Sequence, residues 1–187
     1  MTIVIHPSDI STEFLMPIYG NIPKEELTVV KGGVSKNELI ELIKKHDTVL
    51  CLGHGSPFGL FSIGQFNGLS YMEYIIDKEM APLLKDKKVV TIFCYAKKFV
   101  TSVDLHGLYT SDMFCSEVAE CNLMGLGYDI TQEMVDQSNY VFGVTLGKFI
   151  HLSPEEIHNS MLTSAYAELA KTNVVAAYNM ERLCYVP

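Results

Sequence analysis

Two apolar runs decide the fold that the sequence predicts: residues 47–53 (DTVLCLG) and residues 89–94 (VVTIFC). Both runs are continuous rather than alternating, which is typical of parallel strands buried on both faces of a sheet. Helical patterns separate them from other short apolar runs, so strands and helices alternate along the chain. That order predicts an α/β fold, a three-layer sandwich whose mostly parallel central sheet carries helices on both faces.

The remaining elements are predicted outward from these two runs. Further strands are expected at residues 2–6, 27–30 and 113–115. Helical patterns cover residues 71–84, 95–103, 130–150 and 154–171, and a capping box at Ser35 and Glu38 opens another helix that runs to about His46. Residues 174–178 form a last strand or a helix extension, and residues 56–68 form either a mobile flap or an ordinary hairpin. No repeat or linker divides the chain, so residues 1–187 are expected to form a single domain.

The composition limits the classes of partner. The chain has 187 residues and a formal net charge of −8, and Arg182 is its one arginine. A nucleic-acid-binding protein needs clustered cations and usually arginine to read bases, so we expect no nucleic-acid partner. No run reaches the roughly 18 apolar residues of a membrane span, and residues 1–6 do not resemble a signal peptide. We therefore expect no membrane partner, a cytoplasmic location and five free thiols.

A histidine and a cysteine stand at the ends of the two decisive runs. His54 follows the first run and Cys94 closes the second, and the carboxyl ends of parallel strands meet at one edge of a sheet. A thiol attacks carbonyl carbon as thiolate, and an adjacent imidazole takes its proton and later protonates the leaving amine. The backbone N–H groups of Gly55 and Cys94 would hold the oxyanion, at about 3–4 kcal/mol per donor. These residues predict a catalytic site for acyl transfer.

The order of these motifs resembles that of the caspase-like (clan CD) cysteine peptidases, the group of caspases, metacaspases, clostripain, gingipains and CHAT-type proteases. The matching segments are residues 49–55 (VLCLGHG) and 89–94 (VVTIFC), and the order of elements matches over about residues 2–115. The resemblance implies a caspase-like sandwich and a cysteine endopeptidase with a His54–Cys94 dyad. It also implies that no third acid is required and that a peptide or protein is the substrate.

Acidic residues at the strand ends suggest the side chain that such a peptidase would select. Asp9 follows the first strand, and Ser116 and Glu117 follow the predicted strand at residues 113–115. A carboxylate in a partly closed pocket favours a lysine or arginine side chain through a charge-assisted hydrogen bond. Cleavage after basic residues is therefore expected, with Asp9, Ser116 and Glu117 binding substrate. The other interpretation is that Glu117 and Glu120 lie on a solvated helix face.

The motifs leave one alternative to a peptidase open and disfavour another. The bulky neighbours Phe93 and Tyr95 support a catalytically inactive scaffold or interaction module of the same architecture. A nucleotide-binding domain is disfavoured because no glycine-rich phosphate loop follows a strand. His106, His151 and His158 have no partners at metal-ligand spacing, so we expect neither a metal nor a cofactor.

Overall fold

The computed structural model describes residues 1–127 and 129–187, and two sheets organise it. The strands are β1 (Thr2–Ile5), β2 (Leu27–Val30), β3 (Thr48–Leu52), β4 (Gly55–Ser56), β5 (Gly59–Phe61), β6 (Tyr74–Ile76), β7 (Lys88–Ile92), β8 (Gly107–Thr110) and β9 (Leu183–Val186). The main sheet has the order β2-β1-β3-β7-β8-β9, and β4, β5 and β6 form a small antiparallel sheet. In the main sheet the first five strands are parallel and β9 pairs antiparallel with β8, which confirms the mostly parallel sheet.

Helices cover both faces of the main sheet. They are α1 (Lys36–Lys44), α2 (Ala96–Ser102), α3 (Val118–Leu123), α4 (Gln132–Phe149), α5 (Pro154–Met161), α6 (Ala165–Ala170) and α7 (Val174–Glu181), and a 3₁₀ segment runs over Ile10–Ile18. Capping boxes open α1, through Ser35 and Glu38 as predicted, and α5, through Ser153 and Glu156. No helix in the described ranges is both long enough and apolar enough to cross a bilayer.

The two central strands send alternate side chains into two separate cores. Val49 and Cys51 of β3 belong to one buried cluster with α1 and α2, whereas Leu50 and Leu52 belong to the cluster under α4 and α5. Strand β7 alternates in the same way at its end, where Phe93 enters the first cluster and Cys94 packs against the second. The thiol of Cys94 therefore lies on the α4 and α5 face of the sheet.

The strand order creates a switch point between β1 and β3. Strand β2 follows β1 on one side, and the chain then crosses back to place β3 on the other side of β1. Ligands of open α/β sheets bind at the carboxyl ends of the strands at such a point. Residues that directly follow β1 and β3 are therefore well placed to contact a ligand.

Two predicted elements are wrong. Residues 113–115 form no strand, because the backbone of Cys115 bonds the side chain of Asn179 (2.8 Å in each direction) and not another strand. The strand next to β7 is instead the fully buried Gly107–Thr110. Residues 71–84 are not a helix, because Tyr74–Ile76 pairs with β5 and a short 3₁₀ turn follows at Ala81–Leu83.

Two other predicted elements differ in their bounds. The helix expected over residues 154–171 is two helices, α5 and α6, because Ser164 starts the second by accepting hydrogen bonds from the N–H groups of Tyr166 and Ala167. The segment left open at residues 174–178 is the helix α7, and the last strand follows it as β9. The hairpin interpretation of residues 56–68 fits the β4–β5 pairing.

Helix α4 packs so closely on the 3₁₀ segment that only glycine fits at the point of contact. A substitution of this glycine tests the packing. A Cβ atom on Gly147 would lie 2.3 Å from the carbonyl oxygen of Pro17. Gly147→Ala is expected to destabilise the fold by about 1–3 kcal/mol through overpacking, although alanine favours helix. The control is Gly20→Ala, whose Cβ meets nothing closer than 3.7 Å. Urea unfolding measures both, and a Gly147→Ala protein as stable as the control would contradict the close packing.

Candidate active site

His54 and Cys94 stand side by side at the carboxyl edge of the sheet. Strands β3 and β7 are direct neighbours, with Leu52 opposite Ile92 and the Gly53 N–H donating to the Ile92 carbonyl at 3.1 Å. Two residues further along each strand lie His54 and Cys94, so the paired register brings them to the same level. Both residues therefore lie at one edge of the sheet, and the strands that they follow are direct neighbours.

A small cavity lies between these two residues. Its volume is about 20 Å³, and its walls include His54, Cys94, Phe14, Phe114 and Glu120. That volume fits about one water molecule and no peptide group. The stacked rings of Phe14 and Phe114, whose centroids are 5.7 Å apart, form part of the wall, so a substrate carbonyl reaches the thiol only if neighbouring side chains move.

Two side chains that follow β1 hold the imidazole of His54. The Ser11 hydroxyl lies 2.7 Å from Nε2 of His54 and 2.6 Å from Oδ1 of Asp9, which also accepts from the Ser11 N–H at 2.9 Å. Oδ1 of Asp9 itself is 3.6 Å from the same ring nitrogen. These hydrogen bonds lower the pKa of the Asp9 carboxyl, the Ser11 hydroxyl contributing most. Asp9 and Ser11 thus meet His54 at the switch point.

This chain of hydrogen bonds determines which ring nitrogen carries the proton. Ionised Asp9 can only accept, so the single hydroxyl proton of Ser11 goes to Asp9. The Ser11 oxygen is then an acceptor for His54, and Nε2 must be the N–H nitrogen. In that tautomer Nδ1 carries no proton and can act as a base. Ser11 itself is poorly placed to act as a nucleophile, because its proton already bonds to the carboxylate and not to a basic nitrogen.

The thiol of Cys94 is half-buried and protonated in the resting site. Burial raises its pKa to about 11, and the nearby charge of Glu120 acts in the same direction, whereas the backbone N–H of Phe114 partly offsets them. Among the described residues, no hydrogen bond joins the sulfur to the His54 ring. The resting site therefore holds a protonated thiol, and Cys94 needs a base to become a nucleophile.

The other predicted site residues take different positions. Gly55 opens β4, and a Cβ atom there would lie 2.3 Å from the Phe93 ring, so glycine lets the hairpin lie against that ring. Ser116 lines the cavity, whereas Glu117 is exposed and does not line it. Glu120 is the acid at the cavity, and its Oε2 accepts from the N–H and hydroxyl of Ser116 at 2.7 and 3.0 Å. Asp9 lies beside His54 with its Oδ1 occupied by Ser11.

His6, at the end of β1, anchors the segment that carries Asp9 and Ser11. Its ring nitrogens lie 3.1 Å from the Tyr19 hydroxyl and 3.1 Å from the Thr12 hydroxyl, and only 2% of the residue is exposed. Burial lowers the pKa of His6 to about 4, and the positive charge of Lys31 adds to this. His6 is therefore neutral at pH 7 and serves as a structural link.

The lowered pKa of His6 predicts acid destabilisation. Above pH 6.5 the ring is neutral in both folded and unfolded chains and contributes nothing to the pH dependence. As the pH falls from 6.5 to 4, the unfolded chain takes up a proton that the folded chain refuses, so about 3 kcal/mol of stability is lost. Urea unfolding across this range measures the loss, and His6→Gln should remove this part of it. Equal pH dependence in both proteins would contradict the buried neutral ring.

The remaining cysteines offer no comparable site. Cys51, Cys115 and Cys121 are fully buried, and burial raises the pKa of each of these thiols. Cys184 is half-buried on the outer strand β9, away from the ends of β3 and β7. Among residues 1–127 and 129–187, no three His, Cys, Asp or Glu side chains are grouped so that they could hold a metal ion.

The contact of Ser11 with His54 is the feature that sequence reasoning missed. Its signal is an Asp-x-Ser pattern directly after an apolar run, in which Asp9 caps the 3₁₀ segment through the Ser11 N–H. No protein-family model, curated protein or solved structure matches this chain. What these residues do is therefore inferred from their own geometry.

Proposed function

We propose that this protein is a caspase-like cysteine peptidase with Cys94 as nucleophile and His54 as general base and acid. The observation that carries the proposal is one cavity shared by the two side chains, at neighbouring strand ends on one face of the sheet. Asp9 and Ser11 add support, because they hold Nε2 of His54 and leave Nδ1 free. Asp9 and Ser11 together orient the imidazole of His54, as a third catalytic acid does in other hydrolases.

The reaction follows from the protonation states of the site. Nδ1 of His54 takes the proton of the Cys94 thiol as the sulfur attacks the peptide carbonyl, and the carbonyl oxygen becomes an oxyanion. The imidazolium then returns its proton to the amine as the C–N bond breaks, leaving a thioester on Cys94. Water, deprotonated by the same nitrogen, attacks the thioester carbonyl. The C–S bond then breaks, the sulfur takes the proton from the imidazolium, and the carboxylic acid product leaves. The N–H groups of Gly55 and Cys94 are the proposed oxyanion donors.

The selected side chain is proposed to be basic. Glu120 is the carboxylate at the cavity, and the chain carries a net charge of −8. A lysine or arginine side chain could pair with Glu120 beside Cys94. Fluorogenic peptides that end in lysine, arginine or aspartate test this, and preferential cleavage after aspartate would contradict it.

A catalytically inactive scaffold is the second candidate function. Two observations favour it: burial raises the pKa of Cys94 to about 11, and the cavity fits only one water molecule. Both observations also fit a peptidase whose site opens when substrate binds. A direct assay of peptide cleavage distinguishes the peptidase from the scaffold.

The direct assay is cleavage of a library of proteome-derived peptides, with new ends identified by mass spectrometry. We expect the wild-type protein to generate new ends and Cys94→Ala to generate none. Cys184→Ala, which removes a half-buried thiol elsewhere, is the matched control and should behave as wild type. Absence of cleavage by the wild-type protein, or equal cleavage by Cys94→Ala, would contradict the peptidase and leave the scaffold.

A further inference from the structure

A second and larger cavity lies across the sheet edge from the dyad. Its volume is about 320 Å³, within the range of small-ligand pockets. The hairpin that follows His54 supplies Phe58, and the helix that follows Cys94 supplies Phe99. The two segments that leave the dyad therefore enclose this cavity between them.

Three of the eight residues that line this cavity are aromatic: Phe58, Tyr74 and Phe99. Phe58 and Tyr74 meet edge to face with centroids 6.4 Å apart, and Tyr74 also stacks on Phe61 at 4.9 Å. The Tyr74 hydroxyl lies 2.8 Å from the Ser56 hydroxyl, which fixes the ring. Phe58 is 68% exposed despite this contact, so most of its apolar surface is open to solvent. A ring entering the cavity would meet Phe58 and Tyr74 in the geometries that aromatic pairs prefer.

The charges around the cavity are balanced. Asp77 is neutralised by Lys36, whose Nζ lies 2.5 Å from its carboxylate. Lys78 and Glu79 add one exposed charge of each sign. A charged ligand group would therefore gain little electrostatic attraction in this cavity. An uncharged aromatic side chain would pack against the rings and leave the charges balanced.

The distance from the dyad suits a peptide that is bound at Cys94. Pro57, at the cavity wall, comes three residues after His54, so their Cα atoms are at most about 11 Å apart. An extended peptide advances about 3.3 Å per residue, so a residue two or three positions from the cleaved bond reaches the cavity. The peptide would cross the sheet edge, from the α4 face, where Cys94 packs, to the α2 face, where Phe99 lies.

We propose that the cavity walled by Phe58, Tyr74 and Phe99 binds an aromatic side chain of the peptide substrate, two or three residues from the cleaved bond. This assignment rests on the proposed peptidase function. It makes Phe58 a specificity-determining residue of the substrate and not a catalytic one.

The test compares cleavage profiles from the peptide library. Wild-type protein is expected to favour phenylalanine and tyrosine at one position two or three residues from the cleaved bond. In Phe58→Ala, the ratio of cleavage with an aromatic residue at that position to cleavage with alanine there should fall about tenfold. Tyr140→Ala, which removes an equally exposed aromatic ring on α4, should leave the preference intact. An unchanged preference in Phe58→Ala, or no aromatic preference in wild type, would overturn the proposed subsite and leave the peptidase standing.

A binding measurement separates failure of the subsite from failure of the peptidase. N-acetyl-phenylalanine amide is titrated into the Cys94→Ala protein by NMR, with N-acetyl-alanine amide as control. Shifts of the Phe58 and Tyr74 signals with the phenylalanine compound alone support the subsite, even if the wild-type protein cleaves nothing and the peptidase fails. No shift with either compound, together with no cleavage, would overturn both proposals.

Discussion

His54→Ala is expected to lower the kcat/KM of peptide cleavage at least a thousandfold. The resting thiol has a pKa raised to about 11, so few Cys94 side chains are ionised at pH 7 without a base. Nδ1 of His54, which lines the same cavity as Cys94, is the proposed base, and loss of a member of a catalytic triad in other hydrolases costs comparable or larger factors. The ring is about one third exposed, so its removal should leave the fold intact.

The control for this substitution is His151→Ala. His151 is an exposed histidine at the opposite edge of the sheet, where it lines a separate cavity beside Lys88. Peptide cleavage by His151→Ala should match that of wild type. A loss below tenfold in His54→Ala, with urea stability unchanged, would mean that the imidazole is not the base.

Ser11→Ala is expected to lower kcat about a hundredfold with little change in KM. The hydroxyl connects Asp9 to Nε2 of His54, and without it Oδ1 of Asp9 remains 3.6 Å from the ring. The imidazole then loses both its orientation and the fixed tautomer, and a misplacement of about 1 Å costs a factor of this size. Ser11 is a positioning residue, because it acts through His54 and does not touch substrate.

A conservative variant distinguishes positioning from a structural role. Ser11→Thr keeps the hydroxyl and should restore most of the rate, whereas Ser11→Ala should also change the pH profile of kcat because the tautomer is no longer fixed. Ser11→Ala with a lowered rate, unchanged pH profile and no rescue by threonine would indicate a structural effect on the 3₁₀ segment.

The sequence predicts that His54 and Cys94 lie at one edge of the sheet, because each follows a buried parallel strand. Two continuous apolar runs give two buried parallel strands, and the residues after them reach the same edge, as His54 and Cys94 do. The contact with Ser11 could not be predicted in this way, because it depends on β1 lying next to β3, and strand order is a property of the whole fold. The tautomer of His54 in turn depends on that contact.

Two other errors have causes that lie outside the local sequence. The apolar run at residues 113–115 looks like a strand, but its backbone partner is the side chain of Asn179, which is distant in sequence. Tyr74–Ile76 sits within a helical pattern, yet pairing with β5 decides its conformation. The break between α5 and α6 is the exception, because its cause is local. Ser164 is a residue type that favours the N-cap of a helix, but it lies inside an apolar helical pattern that continues on both sides of it.

The most direct test of the proposed His54–Cys94 dyad is the rate at which iodoacetamide alkylates Cys94, resolved by mass spectrometry in wild type and His54→Ala. A thiolate is the reacting form, so the rate at pH 7 reports how far His54 takes the proton. If the ring and the thiol act together, Cys94 reacts faster than the other four thiols in wild type and at least tenfold more slowly in His54→Ala. Equal Cys94 rates in the two proteins, both rising only towards pH 11, would contradict the dyad.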